Sequence, residues 1–288
     1  MKVRFSEIFY SFQGEAEHAG TPTTWIRFFG CNLECNGFGQ KDPTDPSTYK
    51  LPFLDLDLIN VKKVEDLPVW EYGCDSSYSW SKKYKHLQMT KSVAEVIDHI
   101  TSLLPNGTFT GQHGEDIHLV ITGGEPLLGW QRVWPNLLDE CIKRGLKNVT
   151  FETNGTQLVK SDLISYFNLT QPSLHVTWST SPKISISGET TEDALKPQAL
   201  ATMNHVDNSF LYTKFVVRDA DDFDEVDMFV QGYKDNNVRL DSIYCMPEGA
   251  TLEQQSLTEK DVAEACMKTG YKFSPRLHIS LFGNAWGT

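Results

Sequence analysis

An apolar run that stops abruptly at glycine or small polar residues recurs along this chain, and the recurrence leaves few folds open. "TWIRFF" (24–29) runs into Gly30-Cys31, and "IHLVIT" (117–122) into Gly123-Gly124-Glu125-Pro126. "NVTFET" (148–153) runs into Asn154-Gly155, and "SLHVTWS" (173–179) ends at Ser181-Pro182-Lys183. "LYTKFVV" (211–217) precedes an acidic helical stretch at 221–232, and "DSIYCMP" (241–247) precedes another helix at 257–268. Short runs rich in β-branched and aromatic residues read as buried strands. Between them the pattern turns helical. Val93, Val96, Ile97, Ile100, Leu103 and Leu104 recur at helical spacing behind a Ser92/Glu95 capping box, and Pro105-Asn106-Gly107 ends the run. Residues 130–144 are amphipathic and stop at Gly145; 257–268 is expected to be capped by Ser256 and Glu259 and ended by Gly270. About six strands alternating with helices predict an α/β fold with a parallel sheet and right-handed crossovers. Such sheets build their sites at the C-terminal strand ends, where the polar and glycine-rich residues gather here.

The chain has 288 residues, 40% hydrophobic and 22% charged, which suits a soluble protein with one large core. We expect a single domain over 1–288. Residues 36–73 differ in texture: Pro43, Pro46, Pro52 and Pro68 break a mixed-charge run, which reads as an inserted segment with at most one short strand or helix. The net charge of −12 disfavours a phosphate-backbone groove and points to a small-molecule ligand, not nucleic acid. There is no run of 18 apolar residues, so no membrane span is expected, and "MKVRFSEIFYSFQGE" turns polar too soon for a secretory signal. Six cysteines are too few for a disulfide scaffold, so a reduced, cytoplasmic setting is expected. Cys141, Cys245 and Cys266 read as small buried apolar residues.

Cys31, Cys35 and Cys74 read differently. They lie in "GCNLEC" and "YGCDSSYSW", with 38 residues between Cys35 and Cys74 across the insertion. A [4Fe–4S] cluster usually takes four thiolates, so three would leave one iron open for a small molecule.

"FYSFQGEAEHAGTPTTWIRFFGCNLEC" (9–35), "CDSSYSW" (74–80), "ITGGEP" (121–126), "ETNGT" (152–156), "SPK" (181–183) and "RLH" (276–278) together resemble, in order, the blocks of the 7-carboxy-7-deazaguanine synthase family of radical S-adenosylmethionine enzymes. The likeness spans nearly the whole chain except 36–73. The family pattern is Cys-x3-Cys-x2-Cys, but Phe38 stands where the third cysteine belongs. Flanking text that matches beside Cys74 makes an insertion after Cys35 the better reading, since closing a long loop adds little entropy penalty.

The resemblance implies a partial, modified (β/α)6-type barrel with an insertion in its cluster-binding loop. It implies a [4Fe–4S] cluster on Cys31, Cys35 and Cys74, with S-adenosylmethionine chelating the open iron. A 5′-deoxyadenosyl radical would take hydrogen from 6-carboxy-5,6,7,8-tetrahydropterin; ring contraction with loss of ammonia would give 7-carboxy-7-deazaguanine. Cofactor contacts are expected from Gly73, Cys74 and Asp75, from Gly123, Gly124 and Glu125, from Glu152 and Asn154, and from Ser181, Pro182 and Lys183. Substrate contacts are expected from Phe12, Gln13, Gly14, Glu15, Arg27, Thr122 and His278, with Arg27, Glu15 and Gln13 as the catalytic set. Arg27 offers a planar fork to a carboxylate and would be costly left unpaired mid-strand. The family's Mg²⁺ would fall to Ser76, whose hydroxyl offers a hard cation the same oxygen as threonine. A flavodoxin-type reductant and a homodimer are implied as well.

Two other readings compete. A glycyl-radical activase shares the three-cysteine cluster but would not need Arg27 with the FQGE block. A zinc-stabilised binding module could use Cys31, Cys35, Cys74 and His86, but leaves GGEP, ETNGT and SPK unexplained.

Overall fold

The computed structural model describes residues 1–287. Its strands are β1 (Lys2–Phe12), β2 (Pro22–Phe28), β3 (Met89–Ser92), β4 (His118–Gly123), β5 (Asn148–Thr153), β6 (His175–Thr180), β7 (Ser209–Val217), β8 (Ser242–Pro247) and β9 (Lys272–Phe273). They form one sheet in the order β3-β1-β2-β4-β5-β6-β7-β8-β9. From β2 onward every pairing is parallel, while β1 is antiparallel to both β2 and β3. The sheet stays open between β3 and β9, so the barrel is partial, as expected.

All six expected strands form. The sequence pattern missed β1, β3 and β9. In β1 the alternation of exposed Lys2 and Arg4 with buried Val3 and Phe5 is broken by a register shift between Phe5 and Glu7, a bulge that scrambles the period-two signal. The helix at Val93–Leu103 carries the full Ser92/Glu95 capping box. The expected 130–144 helix narrows to Trp134–Ile142 behind a 3-10 turn, because Pro135 lacks an N–H and fits only a first turn. Ser256 is not the cap expected for the helix at 257–268. It ends a separate turn, Leu252–Ser256, capped by Thr251; the next helix, Glu259–Thr269, starts after Thr258 and stops at a left-handed Gly270.

Alternation across the sheet gives the fold its two faces. Ile26, Phe28, Leu119, Ile121, Phe151, Trp178 and Phe215 point into the core beneath the helices. Their strand neighbours Trp25, Arg27, Thr122, Glu152, Ser179 and Lys214 line a cavity instead. A fold whose strands are apolar on one face and polar on the other keeps chemistry where the helices do not reach.

Residues 13–18 stitch this inner face. Gln13 donates to Glu152 on β5 (3.2 Å), His18 bonds Thr177 on β6 (3.1 Å), Glu15 pairs with Lys214 on β7, and Glu17 accepts from Tyr244 on β8 and Lys272 next to it (3.2 Å to Lys272).

The inserted segment holds one helical turn, Pro52–Asp55, and two short 3-10 turns. Its ends meet: Gly73 N donates to Phe38 O at 2.7 Å. Phe53, Val61, Val64, Leu67 and Trp70 pack with Tyr78, Tyr84 and Leu87 into a separate small core, so the packed unit runs past residue 73. Trp286 joins it, edge-on to Tyr78 and donating to Leu67 O at 2.7 Å. Among the described residues no helix is long and apolar enough to cross a membrane.

Candidate functional site

The polar face of the sheet, the C-terminal strand ends, the insertion and the chain's last residues enclose a cavity of about 460 Å³. Every residue nominated for the cluster, cofactor, magnesium or substrate lines it except Glu125 and Pro182.

The three cysteines reach the cavity from two directions, as free thiols. Cys31 follows β2; Leu33 N approaches its sulfur at 3.5 Å and Asn154 Nδ2 at 3.8 Å. Cys35 adopts a left-handed backbone, φ 52°, and its N–H donates to Glu189 at 2.6 Å. Cys74 arrives where the insertion closes, its Sγ 3.5 Å from Ser76 Oγ. Burial raises all three thiols, Cys31 to about 12, so each is a neutral thiol until a metal displaces its proton. Three unpaired thiols on one cavity wall that act electrostatically on one another, Cys31 met by two N–H groups, fit a sulfur-ligated cluster. Among the described residues no three His, Cys, Asp or Glu side chains close on one point as a single ion requires. His86, the fourth ligand of the zinc reading, bonds Val61 O at 3.1 Å within the inserted unit.

The Gly123-Gly124 turn packs directly under this loop. A Cβ on Gly124 would lie 2.4 Å from Gly30 O and 2.7 Å from Cys31 Cβ, and one on Gly123 2.5 Å from Phe28 O. Only glycine lets the two segments touch. Glu125 corrects an expectation. Its carboxylate does not face the cavity; it accepts from Leu127 N (2.9 Å), Asn154 N (2.8 Å) and Thr153 Oγ1 (2.8 and 2.9 Å). It therefore clamps the ends of β4 and β5 together, and burial raises it to about 7. Asn154 also donates to Asn32 at 3.1 Å. Lys183 donates to Ser181 at 2.8 Å and lies 5.8 Å over the Phe38 ring, with buried Pro182 between the two polar residues. Phe38, where the third cysteine was missing, is thus part of the wall.

The FQGE loop forms the opposite side. Gln13 bridges Glu152 and Glu15 N (3.1 Å), and Thr122 reaches Glu152 at 3.4 Å. Arg276 donates to Glu15 at 2.9 Å, to Asp75 at 3.1 Å and to Gly249 O at 2.8 Å. Leu277 N donates to Gly14 O at 2.8 Å. His278 rests against Gly14, where a Cβ would lie 2.0 Å from its Nδ1. Burial lowers His278 to about 4, so it is neutral at pH 7. Phe12, Gly73 and Asp75 complete the rim.

Arg27 forms the ion pair that a mid-strand arginine needs: Nε donates to Glu7 at 2.7 Å, and Tyr78 also donates to Glu7. Its guanidinium sits 5.9 Å from the Tyr78 ring and still lines the cavity. Sequence reading missed Glu7, Tyr78, Lys214 and Arg276. Lys214 left a signal, a charged residue inside the apolar run "LYTKFVV".

No family model matches the chain. Curated proteins named 7-carboxy-7-deazaguanine synthase do. The one from Halobacterium salinarum is 28% identical over 97% of this chain and 90% of its own length. The one from Pyrobaculum aerophilum is 27% identical over 99% of this chain and 97% of its own length. The solved structure of QueE from Escherichia coli matches with a TM-score of 0.55 at 19% identity, covering 96% of this chain and 95% of that one. The chain is thus similar along nearly its full length to enzymes named 7-carboxy-7-deazaguanine synthase, and it shares the fold of QueE.

Proposed function

We propose that this enzyme converts 6-carboxy-5,6,7,8-tetrahydropterin to 7-carboxy-7-deazaguanine with loss of ammonia, by radical S-adenosylmethionine chemistry. One observation carries the reading. Three cysteines from two distant segments and a ring of carboxylates, amide and guanidinium groups face each other across one cavity. Cys31, Cys35 and Cys74 would hold a [4Fe–4S] cluster, which with S-adenosylmethionine supplies the hydrogen-abstracting radical.

The chain's own residues supply positioning. Arg27 spends Nε on Glu7 and keeps the rest of its fork for the pterin carboxylate. Gln13, Glu15 and Glu152 offer acceptors to the amine and amide edge, and neutral His278 offers a ring nitrogen without a competing charge. Gly123 and Gly124 expose backbone groups to the methionine end, and Ser181 and Lys183 suit its carboxylate. Ser76, beside Cys74, suits Mg²⁺. Trp286, Trp70 and Glu71 line the cavity from the side of the inserted unit and would help keep water from a reactive intermediate. A flavodoxin-type protein would deliver the electron, and the working form would be a cytoplasmic homodimer. The product would feed 7-deazaguanine nucleosides, in transfer RNA by way of queuosine or in DNA.

The test is anaerobic reconstitution with iron and sulfide, followed by incubation with the pterin, S-adenosylmethionine, reductant and Mg²⁺. Mass spectrometry should find the deazapurine, and Cys74→Ala should lose both the brown chromophore and turnover. Absence of the deazapurine from a preparation holding about four irons per chain would overturn the reading.

A further inference from the structure

The cavity contains a cation that the chemistry above leaves unused. Lys214 sits mid-strand in β7 and is 6% exposed. Its Nζ donates to Glu15 Oε2, while Arg276 Nε takes Glu15 Oε1 at 2.9 Å. Arg276 is itself fixed by Gly249 O and Asp75. Each oxygen of Glu15 is thus bound by a different cation from a different element, one on the sheet and one on the C-terminal segment. Glu152 on β5 acts electrostatically on Lys214, Tyr212 on β7 feels both carboxylates, and His278 lies 4.0 Å from Glu15. The peptide beneath is pinned too: Glu15 N donates to Gln13, and Ala16 N donates to Ser274 at 2.8 Å.

A buried ion pair is a poor device for stability alone, since desolvation offsets much of its attraction. This one lies on the cavity wall, beside the loop that meets the ligand. An ionised carboxylate has about four acceptor sites, and two cations occupy about half of them.

We propose that Lys214 is a positioning residue: together with Arg276 it fixes the Glu15 carboxylate so that its free lone pairs face the cavity and accept from the N–H groups of a bound heterocycle. That the heterocycle is a pterin rests on the function proposed above; the state of Glu15 does not. Burial alone would raise the Glu15 carboxyl, and Lys214 and Arg276 reverse that and hold it well below the ordinary range. With Lys214 uncharged, burial regains weight, and Glu15 takes up a proton in the weakly acid range. A protonated Glu15 would present a donor to a donor.

The experiment has two readouts on the full chain. Carbon-13 NMR of labelled glutamate carboxyls, with the Glu15 signal assigned by Glu15→Gln, follows Glu15 from pH 8 to pH 5 in ligand-free protein. Wild type and Lys214→Arg should stay ionised throughout. Lys214→Met should titrate with a midpoint above about 5. Anaerobic calorimetry with 6-carboxytetrahydropterin should show Lys214→Met binding at least about tenfold more weakly at pH 6, with part of the loss recovered at pH 8 and binding restored by Lys214→Arg. Should Lys214→Met fail to fold, Arg276→Met puts the same question to the other oxygen. A Glu15 that stays ionised at pH 5 in the methionine variant, or pterin binding untouched by it, overturns the proposal. If Glu15 titrates as described but wild type binds no pterin, the pterin reading fails and the role of Lys214 in fixing Glu15 stands.

Discussion

Replacing Glu125 by glutamine should remove one pH dependence of stability and leave the others. Wild-type Glu125 is fully enclosed, and burial raises its carboxyl from 4.5 to about 7. Its folded state therefore holds the proton more tightly than the unfolded chain does. The corresponding stability is fully present below pH 4.5 and is lost as pH rises through about 7. At about 1.4 kcal/mol per pH unit, the loss is about 3 kcal/mol. Glutamine is neutral throughout, so it has no such slope. It carries a fixed penalty instead. Leu127 N and Asn154 N each donate to a different oxygen, so the amide nitrogen must face one of them. Two donors in opposition cost about 1–3 kcal/mol. Wild type should lead at pH 4.5, and the lead should shrink by about 3 kcal/mol by pH 8. Thermal unfolding of cluster-free protein would report this as roughly 6–12 °C, at about 2–4 °C per kcal/mol for a larger domain. His118 and His278, both lowered to about 4 by burial, give slopes of the opposite sign, which cancel in the difference between the two proteins. A wild-type lead that stays constant to within about 1 kcal/mol over this range would refute the reasoning.

Three further outcomes follow from packing and charge. Gly124→Ala drives a methyl into Gly30 O and the Cys31 side chain; we expect a KM for S-adenosylmethionine raised at least about tenfold and reduced iron loading, read by kinetics and iron analysis. Phe53→Ala empties the small core of the inserted unit, which should lose about 3–5 kcal/mol and become the first site of limited proteolysis, while the central sheet stays intact. Arg27→Lys keeps a charge but loses the Nε bond to Glu7 and the planar fork; pterin affinity should fall at least about tenfold, and a pterin lacking the carboxylate should bind both proteins alike.

The alternation of strand and helix was readable because the apolar runs are long and end at glycine or proline. The motifs at those ends were readable because backbone approach there demands particular residue types, as at Gly124. What escaped notice has physical causes. The bulge near Ser6 hides β1 from a period-two search, and Lys272–Phe273 is too short to show any period. The small core of the insertion draws aromatics from Phe53 to Trp286, a spacing no local window joins. Glu125 looked like a ligand because it follows two glycines, yet its direction depends on Thr153 and Asn154 across the next strand. Lys214 and Arg276 show their purpose only beside Glu15, 199 and 261 residues away.

The closure of the FQGE loop by residues 276–287 fixes when the cavity can exist. Arg276 and Leu277 hold Glu15 and Gly14, and Trp286 caps the inserted unit. Residues 276–287 must leave the ribosome before these contacts form, so until then the nascent sheet waits with its inner face wet and its FQGE loop untethered. Assembly of the pocket thereby comes after every strand of the sheet has been made, and a variant lacking residues 276–287 would be expected to keep its strands yet hold no organised chamber.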